Sequence, residues 1–329
     1  FGPHEDRVVE PQTGWPQVRP LTIELAPGPA LRVSARHYWS SRHGMTRERD
    51  LYASIRKHVT TKAHAVELAK ALQESAAVYA SLGNPSSDVW DELDNVVREC
   101  IEVLDQLGVT QLRPLLLAIF SKFEPAEIAK AMPMIVAWTV RFLICGSGGS
   151  GTLEAAYSDR AREVSDGKYK TAADLYTAMA AIVPNDKTFE DRFAMATVSN
   201  ANLAKYYLRV IEHQKRATNE DELVVNPSEA VNLEHVLPKT PGSDWSHIPP
   251  ADQKALLKRI GNLTLLHSKR NNRIGNASFD KKKEAFKESA VQITNEICAH
   301  STWDEAAIKA RQAELAKIAV KAWRAKPRS

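Results

Sequence analysis

The 329-residue chain is 43% hydrophobic and 26% charged, which suits a soluble globular protein of two or three domains. Its three cysteines are far apart and form no CxxC pair, which argues against a zinc ribbon or a disulfide framework and fits a reducing cytoplasm. The net charge is +4 overall but +8 over residues 231–329, which contain 18 Lys or Arg and 10 Asp or Glu. Such a basic excess is typical of a region that binds a polyanion such as nucleic acid, and the alternative is a solvated helix face.

Helical periodicity dominates the first two thirds of the chain. Residues 1–45 begin with a proline-rich stretch and predict a lead-in or linker, and residues 46–220 predict a domain of seven to nine helices. The longest apolar run, residues 132–145, is short for a membrane span and contains Arg141, so we expect a buried helix and no membrane association. The polar, turn-rich residues 217–229 predict a domain boundary.

The C-terminal region, residues 225–329, has a different pattern. Strands are predicted at 231–236 and 261–267, with a proline-rich loop and a short helix at 251–259 between them. Helix resumes near Phe279. The order strand, loop, strand, helix indicates a small α+β domain.

Two helix boundaries in this region are marked by polar residues. Thr302 and Glu305 match a capping box, so the last helix is expected to begin at Thr302 and to run to about Arg324. Asn271 opens a polar stretch that predicts irregular backbone up to the helix near Phe279.

Residue types suited to phosphodiester hydrolysis occur around the two predicted strands. Glu234 and His235 end the first strand, Asn262 opens the second, and Asn271 follows it. Such hydrolysis needs a base to activate water, a divalent metal and oxygen ligands to hold that metal. Because adjacent strand residues point to opposite faces, a twist or bend near Pro238 would be needed for Glu234 and His235 to serve one site. Taken alone, a Glu-His pair is more often structural.

The stretches "LEHVLP" and "IGNLTLLHSKRNNRIGNASFDKKKEAF" resemble the C-terminal, His-Asn-His-type nuclease domain of the GmrSD restriction endonuclease family. In that family a Glu-His-x-x-Pro element is followed by Gly-Asn-Leu-Thr-Leu-Leu, and then by Asn, Asn, Phe and Lys at similar spacing. The resemblance covers about residues 231–329, and residues 31–216 are more loosely similar to the family's connecting helical domain. It implies a mainly α protein: an N-terminal helical domain followed by a small α+β domain of the ββα-metal, HNH-like kind.

The resemblance also assigns roles to individual residues. His235 corresponds to the general base, and Glu234 and Asn271 to the ligands of Mg²⁺ or Mn²⁺. Asn262 corresponds to an Asn that braces the base or the hairpin, and we place it with the catalytic residues; a simple turn residue is the alternative.

Further candidates surround this set. Additional site residues are expected among His267, Asn272 and Asn276, although Asn276 follows a glycine and suits a turn or a helix cap better. The expected DNA-binding residues are Lys269, Arg270, Arg273, Lys281, Lys282 and Lys283.

The implied function is a metal-dependent DNA endonuclease, nicking or cutting both strands, of a cytoplasmic bacterial restriction or anti-phage system that acts on modified DNA. DNA is the expected partner, together with an N-terminal sensor or NTPase domain or subunit, whose Asp-Gly-Gln-Gln-Arg element is absent from this sequence. Two alternatives stay open: a catalytically silent helical module for DNA binding or assembly, and an RNase.

Overall fold

The computed structural model describes residues 29–146, 150–216 and 230–327, and most of them are helical. The chain divides into two units. The first comprises Phe1–Pro133, Gly148–Met179 and Pro327–Ser329, and the second comprises Met134–Ser147 and Ala180–Lys326. Both units are therefore assembled from separated stretches of the sequence.

The first unit is built from helices throughout its described residues. Helix α5 is its central element, because it packs against both α1 and α7 and buries seven consecutive residues from Pro114 to Phe120. A proline in the first turn of α5 costs little, since the amide there has no partner within the helix. The helices are α1 (Pro29–His43), α2 (Glu48–His58), α3 (Lys62–Ser81), α4 (Asn95–Leu107), α5 (Arg113–Lys122), α6 (Pro125–Cys145, which continues into the second unit), α7 (Ser150–Ser165) and α8 (Ala172–Met179).

Helix α1 corrects the expectation of a lead-in over residues 1–45. Its C-terminal half is buried in the first unit through Trp39 together with His37, Ser40 and Ser41. Because most of this buried face is polar, the sequence lacks the apolar period that would predict a helix. Residues 1–28 lie outside the described residues.

Helix α6 is the long apolar helix expected to be buried. It is long and apolar enough to cross a membrane, but 67% of its most apolar window is buried inside the protein. Arg141, near the C-terminal end of α6, is fully buried. Its guanidinium donates to the carbonyl oxygens of Trp323 and Pro184, both at 2.8 Å, and to the Asp186 carboxylate at 2.6 Å. The arginine is thus paired and hydrogen-bonded, as burial of a charge requires.

The second unit packs helices around a two-stranded antiparallel sheet. Strand β1 pairs with β2 in the register Val231↔His267 to His235↔Leu263. The apolar core beside the sheet is formed by buried residues that include Val236, Leu237, Trp245, Leu266, Phe286 and Trp303. The elements after α6 are α9 (Asp186–Phe193), α10 (Ala201–Arg216), β1 (Val231–His235), α11 (Pro250–Leu256), β2 (Leu263–His267), α12 (Ser268–Ile274), α13 (Phe279–Lys287), α14 (Gln292–Asn295) and α15 (Glu305–Ala322).

Two expectations about local structure in this unit are wrong. The stretch opened by Asn271 is helical over residues 271–274, which belong to α12, and is irregular only over residues 275–278. The cap of α15 is Asp304 rather than Thr302: the Asp304 carboxylate accepts from the backbone amide of Ala307 at 2.9 Å. A carboxylate at the N-cap also interacts favourably with the helix dipole.

The division into units differs from the expected domains at 46–220 and 225–329. Residues from Ala180 onward, including α9 and α10, belong to the unit that holds the sheet. The boundary expected at 217–229 lies outside the described residues.

Candidate active site

The Glu234–His235 pair ends β1, and both residues take part in the regular ladder. Glu234 lies opposite Thr264, and His235 lies opposite Leu263. Because successive side chains of a strand alternate between faces, the carboxylate and the imidazole point to opposite faces of the sheet. The bend that sequence reasoning required near Pro238 comes too late to bring them to one side.

The Glu234 carboxylate is buried and paired with a lysine. Its side chain is 7% exposed, and Oε1 lies 2.5 Å from Nζ of Lys282, whose side chain is 0% exposed. The same Nζ donates to the main-chain oxygen of His235 at 2.7 Å. Burial raises the pKa of Glu234 and lowers the pKa of Lys282, while the charge of each partner opposes the other's shift.

This pairing conflicts with the metal ligands expected from the sequence. A divalent cation at Glu234 would have to displace a buried ammonium group, which carries like charge. Among the residues that the structure describes, no group of three or more His, Cys, Asp or Glu could hold a metal ion. In this arrangement the Glu234 carboxylate is not free to hold Mg²⁺ or Mn²⁺, and the ligand role of Asn271 stays a prediction. Lys282, expected to bind DNA, is wholly buried and cannot reach a phosphate.

His235 presents a neutral imidazole at the end of β1. The side chain is partly buried, and burial, followed by the charges of Lys239 and Lys282, lowers the pKa of His235 to about 4. Within the described ranges, no hydrogen bond to its ring occurs. A neutral imidazole with a free nitrogen is the form that a general base needs.

Asn262 braces the backbone that follows His235. Its Oδ1 accepts from the amide of Leu237 at 2.7 Å and from Nε1 of Trp303 at 3.0 Å. Its Nδ2 donates to the carbonyl oxygens of Leu237, at 3.0 Å, and Leu257, at 3.3 Å. With its amide fully bonded and no exposed surface, the Asn262 side chain holds the backbone and is not open to a substrate, so any part it has in catalysis stays a prediction.

The comparison with known families points to the same part of the chain. Residues 183–318 match a family described as GmrSD restriction endonucleases, C-terminal domain. These residues form a GmrSD-type C-terminal domain. The match begins three residues after Ala180, so the GmrSD-type domain includes α9 and α10 as well as the sheet. The family is one of restriction endonucleases. No curated protein matches the chain.

Gly261 in the GmrSD-type domain is a position of close approach to α15. A Cβ atom there would lie 2.2 Å from the carbonyl oxygen of Ile308 and 2.8 Å from Cβ of Gln312. The Gln312 side chain accepts from the amide of Gly261 at 3.2 Å. Glycine is thus required before Asn262 because any side chain would push α15 away from the brace.

Replacing Gly261 by alanine is expected to destabilise the GmrSD-type domain by about 1–3 kcal/mol, because the backbone of α15 must move to make room. Urea unfolding followed by circular dichroism measures the loss. Gly242→Ala is the matched control, since a Cβ at Gly242 meets nothing within 4 Å. Equal unfolding midpoints for the two variants would contradict the close approach.

Arg311 was missed by sequence reasoning, yet it holds the start of β2 to α15. Its guanidinium donates to the carbonyl oxygens of Gly261 at 2.7 Å, Leu263 at 2.9 Å and Ile293 at 3.1 Å. Burial lowers the pKa of Arg311 to about 10. The available signal was its position: Arg311 lies three residues after Ile308, on the apolar side of the helix.

The asparagines after β2 lie at different depths. Asn271 is partly buried on α12, and its Nδ2 donates to the main-chain oxygen of Leu233 at 3.3 Å. This bond joins α12 to β1, and it leaves the amide oxygen of Asn271 available. Asn272 and Asn276 are exposed. None of the three has a hydrogen bond to Glu234 within the described part of the chain, and the role of Asn271 as a metal ligand stays a prediction.

His267 serves as the N-cap of α12. Its Nδ1 accepts from the amide of Lys269 at 3.3 Å, and the side chain is exposed. A ring nitrogen that accepts a hydrogen bond at a helix start has a local structural role. His267 lies at the opposite end of the ladder from His235, since it pairs with Val231.

The expected DNA-binding residues fall into two groups. Arg270 and Arg273 both lie near the Glu288 carboxylate, at 3.7 and 3.8 Å, and Lys283 is paired with Asp280 at 3.0 Å. Lys269 and Lys281 are exposed, and neither forms an ion pair with another described residue. Among the six expected DNA-binding residues, these two lysines are therefore the ones most available to a phosphate backbone.

Proposed function

We propose that the second unit cleaves DNA as the nuclease part of a restriction endonuclease, with His235 as the general base. The observation that carries the proposal is the neutral, partly exposed imidazole at a braced strand end in a domain of restriction endonucleases. The proposal has three further parts. The β1–β2–α12 arrangement is an HNH-like nuclease fold, the protein acts in a cytoplasmic restriction or anti-phage system, and its substrate is modified DNA.

In the proposed reaction His235 takes a proton from a water molecule as that water attacks phosphorus. The bond from phosphorus to the leaving oxygen breaks, and that oxygen takes a proton from solvent water. The low pKa of His235 keeps the ring neutral at pH 7, although it also makes the base weaker than an ordinary histidine. Exposed Lys269 and Lys281 would neutralise phosphates of the bound DNA.

A requirement for Mg²⁺ or Mn²⁺ belongs to the proposal because it is typical of restriction endonucleases. Such an ion would stabilise the charge that develops on the phosphoryl oxygens. Since Glu234 is paired with Lys282, we assign no ligand to the ion and derive no step through it.

One observation favours a second candidate, a catalytically silent DNA-binding module. The Glu234–Lys282 pair removes the acid expected to hold the metal, and the basic surface of the domain would still bind DNA. The RNase alternative has no observation of its own.

The test is nicking of supercoiled plasmid by the full chain, with Mg²⁺ or Mn²⁺ and with EDTA, beside an RNA of the same sequence. Conversion to nicked or linear DNA that EDTA abolishes is the expected result. Plasmid binding without cleavage, on both unmodified and modified DNA, would favour the silent module. Preferential cleavage of the RNA would replace DNA as the substrate.

The exposed lysines lead to a separate prediction about binding. Replacing Lys269 and Lys281 together by alanine is expected to make the slope of log K against log salt shallower by about 1.8, because each phosphate contact contributes about 0.9 on duplex DNA. Fluorescence anisotropy with a labelled duplex, at several salt concentrations, measures the slope. The control replaces Lys309 and Lys317, which are exposed on α15 and paired with glutamates. An unchanged slope would show that Lys269 and Lys281 face solvent and do not contact phosphates of the DNA.

A further inference from the structure

Lys282 connects α13 to the last two residues of β1. Its Nζ contacts Oε1 of Glu234 at 2.5 Å and the main-chain oxygen of His235 at 2.7 Å. Both contacts are made by one ammonium group, which has three protons to donate and no acceptor function. A fully buried lysine is rare unless its charge is paired. The buried space around Lys282 provides that pairing through the Glu234 carboxylate and the His235 carbonyl oxygen.

The backbone on the other side of His235 is fixed independently. The amide of Val236 donates to the main-chain oxygen of Asn262 at 3.0 Å, and both the amide and the carbonyl of Leu237 bind the Asn262 side chain. His235 therefore lies between two fixed peptide groups. Its own carbonyl is held by Lys282, and the two residues after it are held by Asn262.

This arrangement restricts where the imidazole can lie. The His235 side chain rotates about its Cα–Cβ bond. The contacts of Lys282 on one side and of Asn262 on the other restrain the position of that Cα atom. On the opposite face of the strand, the Glu234 side chain is occupied by the same ammonium group. A base must lie within hydrogen-bond reach of the proton it removes, and a displacement of about 1 Å can cost about 10²-fold in rate.

We propose that Lys282 is a positioning residue for His235, and that Glu234 is the buried counterion of Lys282 rather than a metal ligand. The inference deepens the proposed nuclease function and rests on it for its catalytic part. It gives the Lys of the Phe-x-x-Lys sequence, Phe279 to Lys282, a role beside the reacting base instead of a role in DNA binding.

The experiment compares Lys282→Met, Glu234→Gln and the double variant Lys282→Met/Glu234→Leu in the full chain. Each single change leaves a buried group unpaired, whereas the double change replaces the pair by apolar side chains and should recover most of the stability. With stability recovered, the double variant is expected to keep a kcat about 10²-fold below that of the unmodified protein, with KM unchanged. Lys287→Met, on the exposed part of α13, is the matched control.

A double variant that regained both its unfolding midpoint and its kcat would overturn the positioning role, because the pair would then be purely structural. Two further measurements do not depend on activity. Amide hydrogen exchange at Val236 and Leu237 is expected to be faster in the double variant than in the Lys287→Met control. Unchanged exchange would contradict the restraint on His235.

Calorimetric titration with Mn²⁺ alone tests the counterion role of Glu234. The affinity of the full chain for Mn²⁺ is expected to be the same in the unmodified protein and in Glu234→Gln. A loss of tenfold or more would identify Glu234 as a ligand and overturn this half of the inference. If the unmodified protein cleaves no nucleic acid, the proposed function fails, while hydrogen exchange and Mn²⁺ titration still decide between positioning and structural roles.

Discussion

Replacing His235 by alanine is expected to lower the rate of DNA cleavage by about 10²–10⁴-fold, because loss of a general base typically has an effect of this size. Folding and DNA affinity should be little changed, since the ring makes no hydrogen bond to any residue that the structure describes. Single-turnover cleavage of a labelled duplex measures the rate, and fluorescence anisotropy measures the affinity.

The matched control for this experiment is His247→Ala. His247 is an exposed histidine of the same unit, and its Nε2 lies 3.1 Å from the carbonyl oxygen of Trp303. The His247→Ala protein should cleave DNA at the rate of the unmodified protein. A His235→Ala protein that retained full activity after purification to homogeneity would exclude His235 as the base.

Replacing Arg311 by methionine is expected to destabilise the second unit by at least about 3 kcal/mol, because each buried acceptor that loses its partner costs about 1–3 kcal/mol. The carbonyl oxygens of Gly261 and Leu263 lie at the junction of the Asn262 brace and β2. Loss of the hydrogen bonds from Arg311 to these oxygens should therefore reduce the rate of DNA cleavage as well as the stability of the unit. Urea unfolding gives the free energy, and nicking at low temperature gives the residual activity.

Lys309→Met provides the comparison for Arg311→Met. Lys309 lies on the exposed side of the same helix and forms an exposed ion pair with the Glu305 carboxylate, so the change should lower the free energy of unfolding by less than about 1 kcal/mol. An Arg311→Met protein as stable as Lys309→Met would show that solvent or a local rearrangement satisfies the acceptors.

Short-range patterns in the sequence were sufficient to predict the strands and the place of His235. Alternating apolar residues, bounded by prolines and by Gly261, specify β1 and β2 through local propensity. The resemblance of the sequence to GmrSD restriction endonucleases then singled out His235 as the expected base, a role that stays a prediction. The sheet and the identity of its family required no information from distant parts of the chain.

The polar contacts around the site could not be predicted in the same way. Lys282 meets Glu234 across 48 residues of chain, and its burial depends on how α13 lies against β1. From the sequence, Lys281, Lys282 and Lys283 form a uniform basic run, whereas in the structure they are exposed, buried and ion-paired, respectively. Only the orientation of the helix distinguishes them, and long-range packing sets that orientation.

The way the chain passes between the two units has a practical consequence for dissecting the protein. Because α6 is shared at Pro133 and Met134, and because the second unit also needs Ala180 onward, no single break in the chain yields both units whole. A fragment that begins at residue 225 would lack the carbonyl oxygens of Phe193 and Ala196, to which the Gln312 side chain donates at 2.7 and 2.8 Å. Gene fusions and truncations that begin the GmrSD-type domain at residue 225 would therefore cut through its interior.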